Sequence, residues 1–235
     1  MASDVRAMKK EEGSPPVNSE KVEFVSRLLS TILFVPLIAL MCLVPYGIFC
    51  LLSFATYAVV LKEIYSRSLK GKYFLRNIAA VVCLAGICAF IYCRKVLGLS
   101  GCIFLICVCS FTDIGAYGFG KIIGGPKLCP KISPKKTWAG FFGGIIMANL
   151  ACYAFERLFF SVSGAEVAFN NIYNLATIQY VIIFSIFGDL LESFFKRKMA
   201  VKDMGAVFPG HGGFLDRLDS LIVASIALAL VVILL

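Results

Sequence analysis

The sequence predicts an all-α fold, a polytopic membrane helix bundle with a cytoplasmic N-terminus and about seven transmembrane helices, within a range of roughly six to nine. Three observations carry this. Sixty per cent of the 235 residues are hydrophobic, against roughly 45–50% in a soluble domain, and the mean hydropathy is +0.88. The apolar residues gather in runs close to the roughly 20 that a membrane helix needs. Of the 23 Lys and Arg residues, all but Arg94, Lys95 and Arg157 fall in alternate segments between those runs. That is the bias expected of cytoplasmic loops.

Residues 1–27 are polar and charged, hold Pro15-Pro16 and lack an apolar core. They are expected to be a cytoplasmic tail and not a secretory signal peptide. Residues 28–110 carry the N-terminal spans Leu28–Val44, Tyr46–Leu61, Ile78–Tyr92 and Val96–Phe111, the first two joined near Pro45-Tyr46-Gly47. Residues 111–235 form the C-terminal, candidate catalytic region, with spans Trp138–Phe159, Thr177–Phe194 and Ser220–Leu235 and long cytoplasmic loops. The formal net charge of +9 would suggest nucleic acid in a soluble protein. Here topology accounts for it, and no nucleic-acid partner is expected. The ten cysteines sit mostly at apolar positions without paired CxxC motifs, and read as small reduced hydrophobes.

The chemistry concentrates in two loops. Ser193–Asp219 packs basic residues, a Pro-Gly-His-Gly-Gly turn and Asp-Arg-Leu-Asp between two spans. Basic groups suit phosphate oxygens and carboxylates suit Mg2+. A glycine turn lets a ligand approach the backbone. The combination points to a metal-bound polyphosphate served beside lipid. The other loop, Thr112–Trp138, opens on Asp113 at the end of a span, where an ionisable group is a functional candidate or a carboxylate reaching for water. Gly118, Gly120, Gly124 and Gly125 allow tight turns but form no Walker A loop. Ser133, Lys135, Lys136 and Thr137 place cations and hydroxyls before a helix whose N-terminus favours anions; a plain membrane anchor is the alternative. The closely spaced Gly140, Gly143 and Gly144 allow helix contact within the bundle or between protomers.

Asp189 lies in an apolar run with Glu192 one helical turn on, and Asp216 and Asp219 repeat that spacing. If the intervening loop folds back, Asp189 and Asp216 can meet as a Mg2+ clamp; ion pairing with Lys196 or Arg217 is the alternative. Lys196, Arg197 and Lys202 are candidate phosphate ligands or topology signals. His211, the only histidine, sits among glycines as a donor, a proton shuttle or a turn residue. With one histidine and no suitable cysteines, a catalytic zinc site is not expected.

These residues resemble the signature of the phosphatidate cytidylyltransferase (CDP-diacylglycerol synthase) family. The pattern is met by Ser193, Lys196, Arg197, Lys202, Asp203, His211, Gly212, Gly213, Asp216, Arg217 and Asp219. The segments Asp113–Tyr117, Ser133–Trp138 and Gly188–Ser193 are similar to the family's others, in the same order. The likeness covers the C-terminal half, from about Phe111. Ala139 stands where the family often has Glu, and the chain is short for the family, which suggests fewer N-terminal helices.

The resemblance implies CTP and membrane phosphatidic acid as substrates, CDP-diacylglycerol and diphosphate as products, and an active site facing the cytoplasm of a plasma or inner membrane. It implies Mg2+ on Asp189 and Asp216 with Asp113 and Asp219 as outer ligands, and admits a second cation and a homodimer. Lys196, Arg197, Lys202 and Arg217 would hold phosphates. His211 and Lys202, with Asp189, Asp216 and Asp219, are the catalytic candidates, Gly212 and Gly213 of the same turn are substrate-binding candidates, and Ser133, Lys135, Lys136 and Thr137 would position the nucleotide. A CTP-dependent polyprenol kinase or a CDP-archaeol synthase is the neighbouring enzyme reading. The Asp-Gly-x-x-Ala-Arg run of CDP-alcohol phosphotransferases is absent. A channel or transporter reading is disfavoured because the carboxylates cluster beside phosphate-suited cations and no inverted repeat is evident.

Overall fold

The computed structural model describes residues 36, 38–67, 73–163, 174–199, 201 and 213–235, with residues 158–163 described through their backbone only. The elements are α1 (Tyr46–Arg67), α2 (Tyr73–Ile122), β1 (Lys127–Cys129), β2 (Ser133–Thr137), α3 (Trp138–Ser163), α4 (Leu175–Lys198) and α5 (Leu215–Leu234). The described helices include five that are long and apolar enough to cross a membrane. Leu51, Phe74, Phe142, Leu150 and Leu234 point outward, as suits a bundle whose surroundings are lipid. The expected span Leu28–Val44 lies largely outside the described residues, although residues 38–43 are helical.

The two spans expected at Ile78–Tyr92 and Val96–Phe111 form one 50-residue element, α2, broken at Gly98 (φ 69°, ψ −152°). A continuous helix of that length would reach about 75 Å, more than twice the ~30 Å hydrocarbon core. Gly98 adopts the left-handed backbone that side chains resist, and the chain doubles back there. Cys83 of the first limb lines a small cavity with Glu192 and Asp219. Asp113 of the second limb lies within electrostatic reach of Asp219. Both limbs therefore return to one end of the bundle.

Two corrections concern the loop expected at Thr112–Trp138. First, α2 runs on through Asp113 to Ile122, because a helix continues past the lipid wherever its backbone hydrogen bonds can. Gly118 and Gly120 are thus helical, and the turning falls to Gly124 (φ 67°) and Gly125 (φ 89°). Second, residues Lys127–Thr137 form an antiparallel hairpin, with Lys127 opposite Thr137 and Cys129 opposite Ser133. This adds a small two-stranded sheet to the expected all-α fold. Trp138 N–H donates to Pro126 O at 3.1 Å and closes the base of the hairpin.

Glycine sets the helix spacing. A Cβ on Gly115 would sit 2.5 Å from Gly143 O, and one on Gly140 would sit 2.6 Å from Ala116 O. Gly144 packs on Thr112 in the same way. The glycine face of α3 is therefore spent within the bundle, on the second limb of α2, where small residues let backbones approach. All ten cysteines are free thiols.

Candidate active site

The site is assembled at the end of the bundle where α2 finishes, α4 ends and α5 begins. In α4, Asp189, Glu192 and Lys196 recur at intervals that place them on one face. The helix ends with Lys196, Arg197 and Lys198 in its last turn, where cations complement the helix dipole. Asp216 and Asp219 occupy the opening of α5. Gly188 lets the two helices meet: a Cβ there would lie 2.6 Å from Asp219 O and 3.1 Å from Ser220 Cα. Gly188→Ala is accordingly expected to lower stability by about 1–3 kcal/mol through overpacking. A thermal midpoint in detergent equal to the parent's would contradict this close approach.

The charges are paired in a definite way. Lys196 Nζ donates to Glu192 Oε2 at 2.7 Å and to Asp216 Oδ1 at 3.1 Å. The Lys196, Glu192 and Asp216 side chains are only 16%, 6% and 10% exposed. This is the ion-pair arrangement that the sequence left open for Asp216. The second Asp216 oxygen accepts from Gly213 N–H at 2.6 Å, which ties the glycine turn to the start of α5. Lys136 of β2 pairs with Asp189 at 2.6 Å in a more open setting, the side chains 23% and 36% exposed. Arg197 Nε donates to Ile132 O at 3.2 Å, so the β1–β2 hairpin is docked on the end of α4 at two points.

Asp113 is exposed and lies within electrostatic reach of Asp189, Asp219, Lys136 and Arg217. Asp219 is held by Ser220 N–H at 2.7 Å. Five carboxylates, Asp113, Asp189, Glu192, Asp216 and Asp219, thus share one region with Lys136, Lys196 and Arg217. Asp189 joins Asp113 and Asp219 in this region, while Asp216 is engaged by Lys196 and Gly213. Ser133 and Lys135 lie on β2, Lys135 exposed. Thr137 is buried and its Oγ1 accepts from Gly140 N–H at 3.1 Å, so it caps α3. Lys202, His211 and Gly212 lie outside the described residues.

A buried oxygen, Glu192 Oε1, has no hydrogen-bond partner among the described residues. It belongs to a carboxylate that sits against Asp216 and Asp219. Such a donor set fits a hard cation. Among the described residues no group of three or more His, Cys, Asp or Glu is spaced to enclose a metal ion.

Sequence reasoning missed one residue outright. Glu63 of α1 is 4% exposed and accepts from Phe214 N–H at 2.8 Å and Leu215 N–H at 3.0 Å. Its signal was available: like Asp113, it is a carboxylate at the end of an apolar run.

Comparison with known proteins adds to this geometry. Residues 18–235 match the model of a family described as the cytidylyltransferase family. A phosphatidate cytidylyltransferase of Bacillus subtilis (strain 168) is 37% identical over 176 residues, 74% of this chain and 62% of the relative. One of Staphylococcus haemolyticus (strain JCSC1435) is 44% identical over 133 residues, 56% of this chain and 48% of the relative. A Staphylococcus aureus (strain COL) protein of the same name is 42% identical over the same length. The chain thus spans between 48% and 62% of the length of these curated relatives.

Proposed function

This chain belongs to the cytidylyltransferase family, and from that premise we propose that it is an integral membrane phosphatidate cytidylyltransferase making CDP-diacylglycerol and diphosphate from CTP and phosphatidate. The observation that carries the proposal is the meeting of five carboxylates with Lys136, Lys196 and Arg217 at one end of an apolar bundle. A triphosphate needs cations, its metal needs carboxylates, and a lipid substrate needs both at a membrane surface.

In the proposed reaction an oxygen of the lipid phosphate attacks the α-phosphorus of CTP. A new P–O bond forms, the bond from the α-phosphorus to the bridging oxygen breaks, and diphosphate leaves. The lipid phosphate is already anionic near neutral pH, so no strong base is required. Rate then comes from alignment and charge neutralisation. Mg2+, when bound, would neutralise phosphate charge and orient the leaving group. Asp189 and Asp216 would hold it, with Asp113 and Asp219 as outer ligands. Lys135 and Lys136 on the hairpin, with Ser133, would bind and orient the nucleotide. Arg197 and Arg217 would hold phosphates at the ends of α4 and α5. Thr137 fixes the joint between β2 and α3 and keeps its O–H free to donate. Lys196 balances Glu192 and Asp216 and would turn towards the phosphates from there. Lys202, His211, Gly212 and Gly213 keep the roles implied by the signature.

The same proposal extends to topology. Residues 28–44, α1, the two limbs of α2, α3, α4 and α5 make seven spans. The positive-inside distribution supports a cytoplasmic N-terminus and a site facing the cytoplasm.

The test is turnover of α-labelled CTP by purified protein in detergent with phosphatidate and Mg2+. The expected result is labelled CDP-diacylglycerol with equimolar diphosphate, abolished by EDTA and restored by Mg2+. Transfer of γ-label to a lipid alcohol with release of CDP would replace this function with a kinase.

A further inference from the structure

We propose that Glu63, from the half of the chain outside the signature segments, is a positioning residue that holds the first turn of α5, so that Asp216 and Asp219 face α4. The opening amides of a helix have no partner inside it, and they are usually satisfied by a Ser, Thr, Asp or Asn at the N-cap. The N-cap of α5 is Phe214, which has no side-chain cap bond. The acceptor comes instead from α1. Glu63 Oε1 takes Phe214 N–H at 2.8 Å and Oε2 takes Leu215 N–H at 3.0 Å, across more than 150 residues of sequence.

Glu63 is 4% exposed and forms no ion pair among the described residues. A buried carboxylate needs compensation, and here two amide donors and the positive end of a helix dipole supply it. The next residue after Leu215 is Asp216, bonded to Gly213 N–H and Lys196. The α1 carboxylate and the α5 carboxylate therefore grip adjacent amides of one turn. Loss of Glu63 leaves two buried donors unpaired. The first turn then frays, carrying Asp216 away from Lys196.

The catalytic consequence rests on the function proposed above, so the test has arms that do not need turnover. The full-length protein in detergent is compared with Glu63→Ala and Glu63→Gln by hydrogen exchange of the peptide covering 213–219. It is also compared by the rate of amine labelling of Lys196, with exposed Lys135 as control. In Glu63→Ala, exchange of that peptide is expected to rise tenfold or more and labelling of Lys196 fivefold or more. Peptides of α3 and the labelling of Lys135 stay unchanged. Glu63→Gln keeps one acceptor and falls between. If Glu63→Ala does not fold, the intermediate response of Glu63→Gln carries the test. Unchanged exchange, or Lys196 labelling equal to the parent's, overturns the proposal.

With the parent active, Glu63→Ala is expected to lower kcat tenfold or more with KM for CTP within twofold. Parental kcat alongside raised exchange would overturn the positioning role. A parent without turnover would sink the proposed function, and exchange and labelling would still decide the role of Glu63.

Discussion

Replacing Asp216 by Asn is expected to abolish CDP-diacylglycerol formation while the protein stays folded. The two outcomes separate because the Asp216 oxygens have different jobs. One accepts from Gly213 N–H, and an amide oxygen can do the same. The other faces Lys196, and what Asn removes there is the negative charge. Lys196 keeps Glu192 as a partner at 2.7 Å, so the cation is not stranded. In the proposed scheme Asp216 helps hold the metal that neutralises the phosphates, and weakening one such charge-stabilising element lowers turnover by about 10²–10³-fold, enough to take the product below detection in an ordinary assay. Retained turnover in a folded Asp216→Asn protein would remove Asp216 from the metal assignment. The matching change at Asp189 would free Lys136 and loosen the hairpin, so Asp216 is the cleaner position.

Replacing Lys196 by Met is expected to have the largest effect on stability. The Lys196, Glu192 and Asp216 side chains are each less than a fifth exposed, and Asp219 sits in the same cluster. Deleting one partner of a buried ion pair leaves an uncompensated charge and costs about 3–5 kcal/mol. Adding Glu192→Gln to Lys196→Met is expected to recover a substantial part of that loss, because it removes one of the stranded charges. Lys136→Met supplies the contrast. Its pair with Asp189 is more open, where a pair contributes roughly 0–1 kcal/mol, so activity should fall with little change in thermal midpoint. Equal midpoints for Lys196→Met and the parent in detergent would show that the triad does not hold the helix ends together.

The apolar runs located the middles of the helices because lipid demands long apolar stretches wherever it is. They did not locate the ends. Lys62–Arg67 and Asp113–Lys121 are helical beyond the expected spans, since backbone hydrogen bonding continues where the apolar run is interrupted. The hairpin escaped notice because its strands are three and five residues long, too short for alternation to register, and β2 contains Pro134. The acids and cations that gather at the candidate site were legible from residue type and turn-length spacing. The Lys196–Asp216 pair was one of the alternatives the sequence left open, but two other partnerships were not legible. Lys136 finds Asp189 through the docking of the hairpin, and Glu63 finds Phe214 through the packing of α1. Those partnerships are tertiary, and no local pattern encodes them.

The glycine contacts determine where this molecule can move. Gly115 on Gly143, Gly140 on Ala116 and Gly188 on Asp219 place main chain directly against main chain. Such joints have no rotamers to re-sort and little slack. Parting α4 from α5, or α3 from the second limb of α2, would break contact along a whole seam at once. The β1–β2 hairpin is tied to α4 by one partly exposed ion pair and one hydrogen bond. Thermal motion at the site is therefore expected in the hairpin, with the helices as a stiff frame. A nucleotide would be admitted by a small displacement of Lys135 and Lys136, at fixed spacing between the acids of α4 and α5.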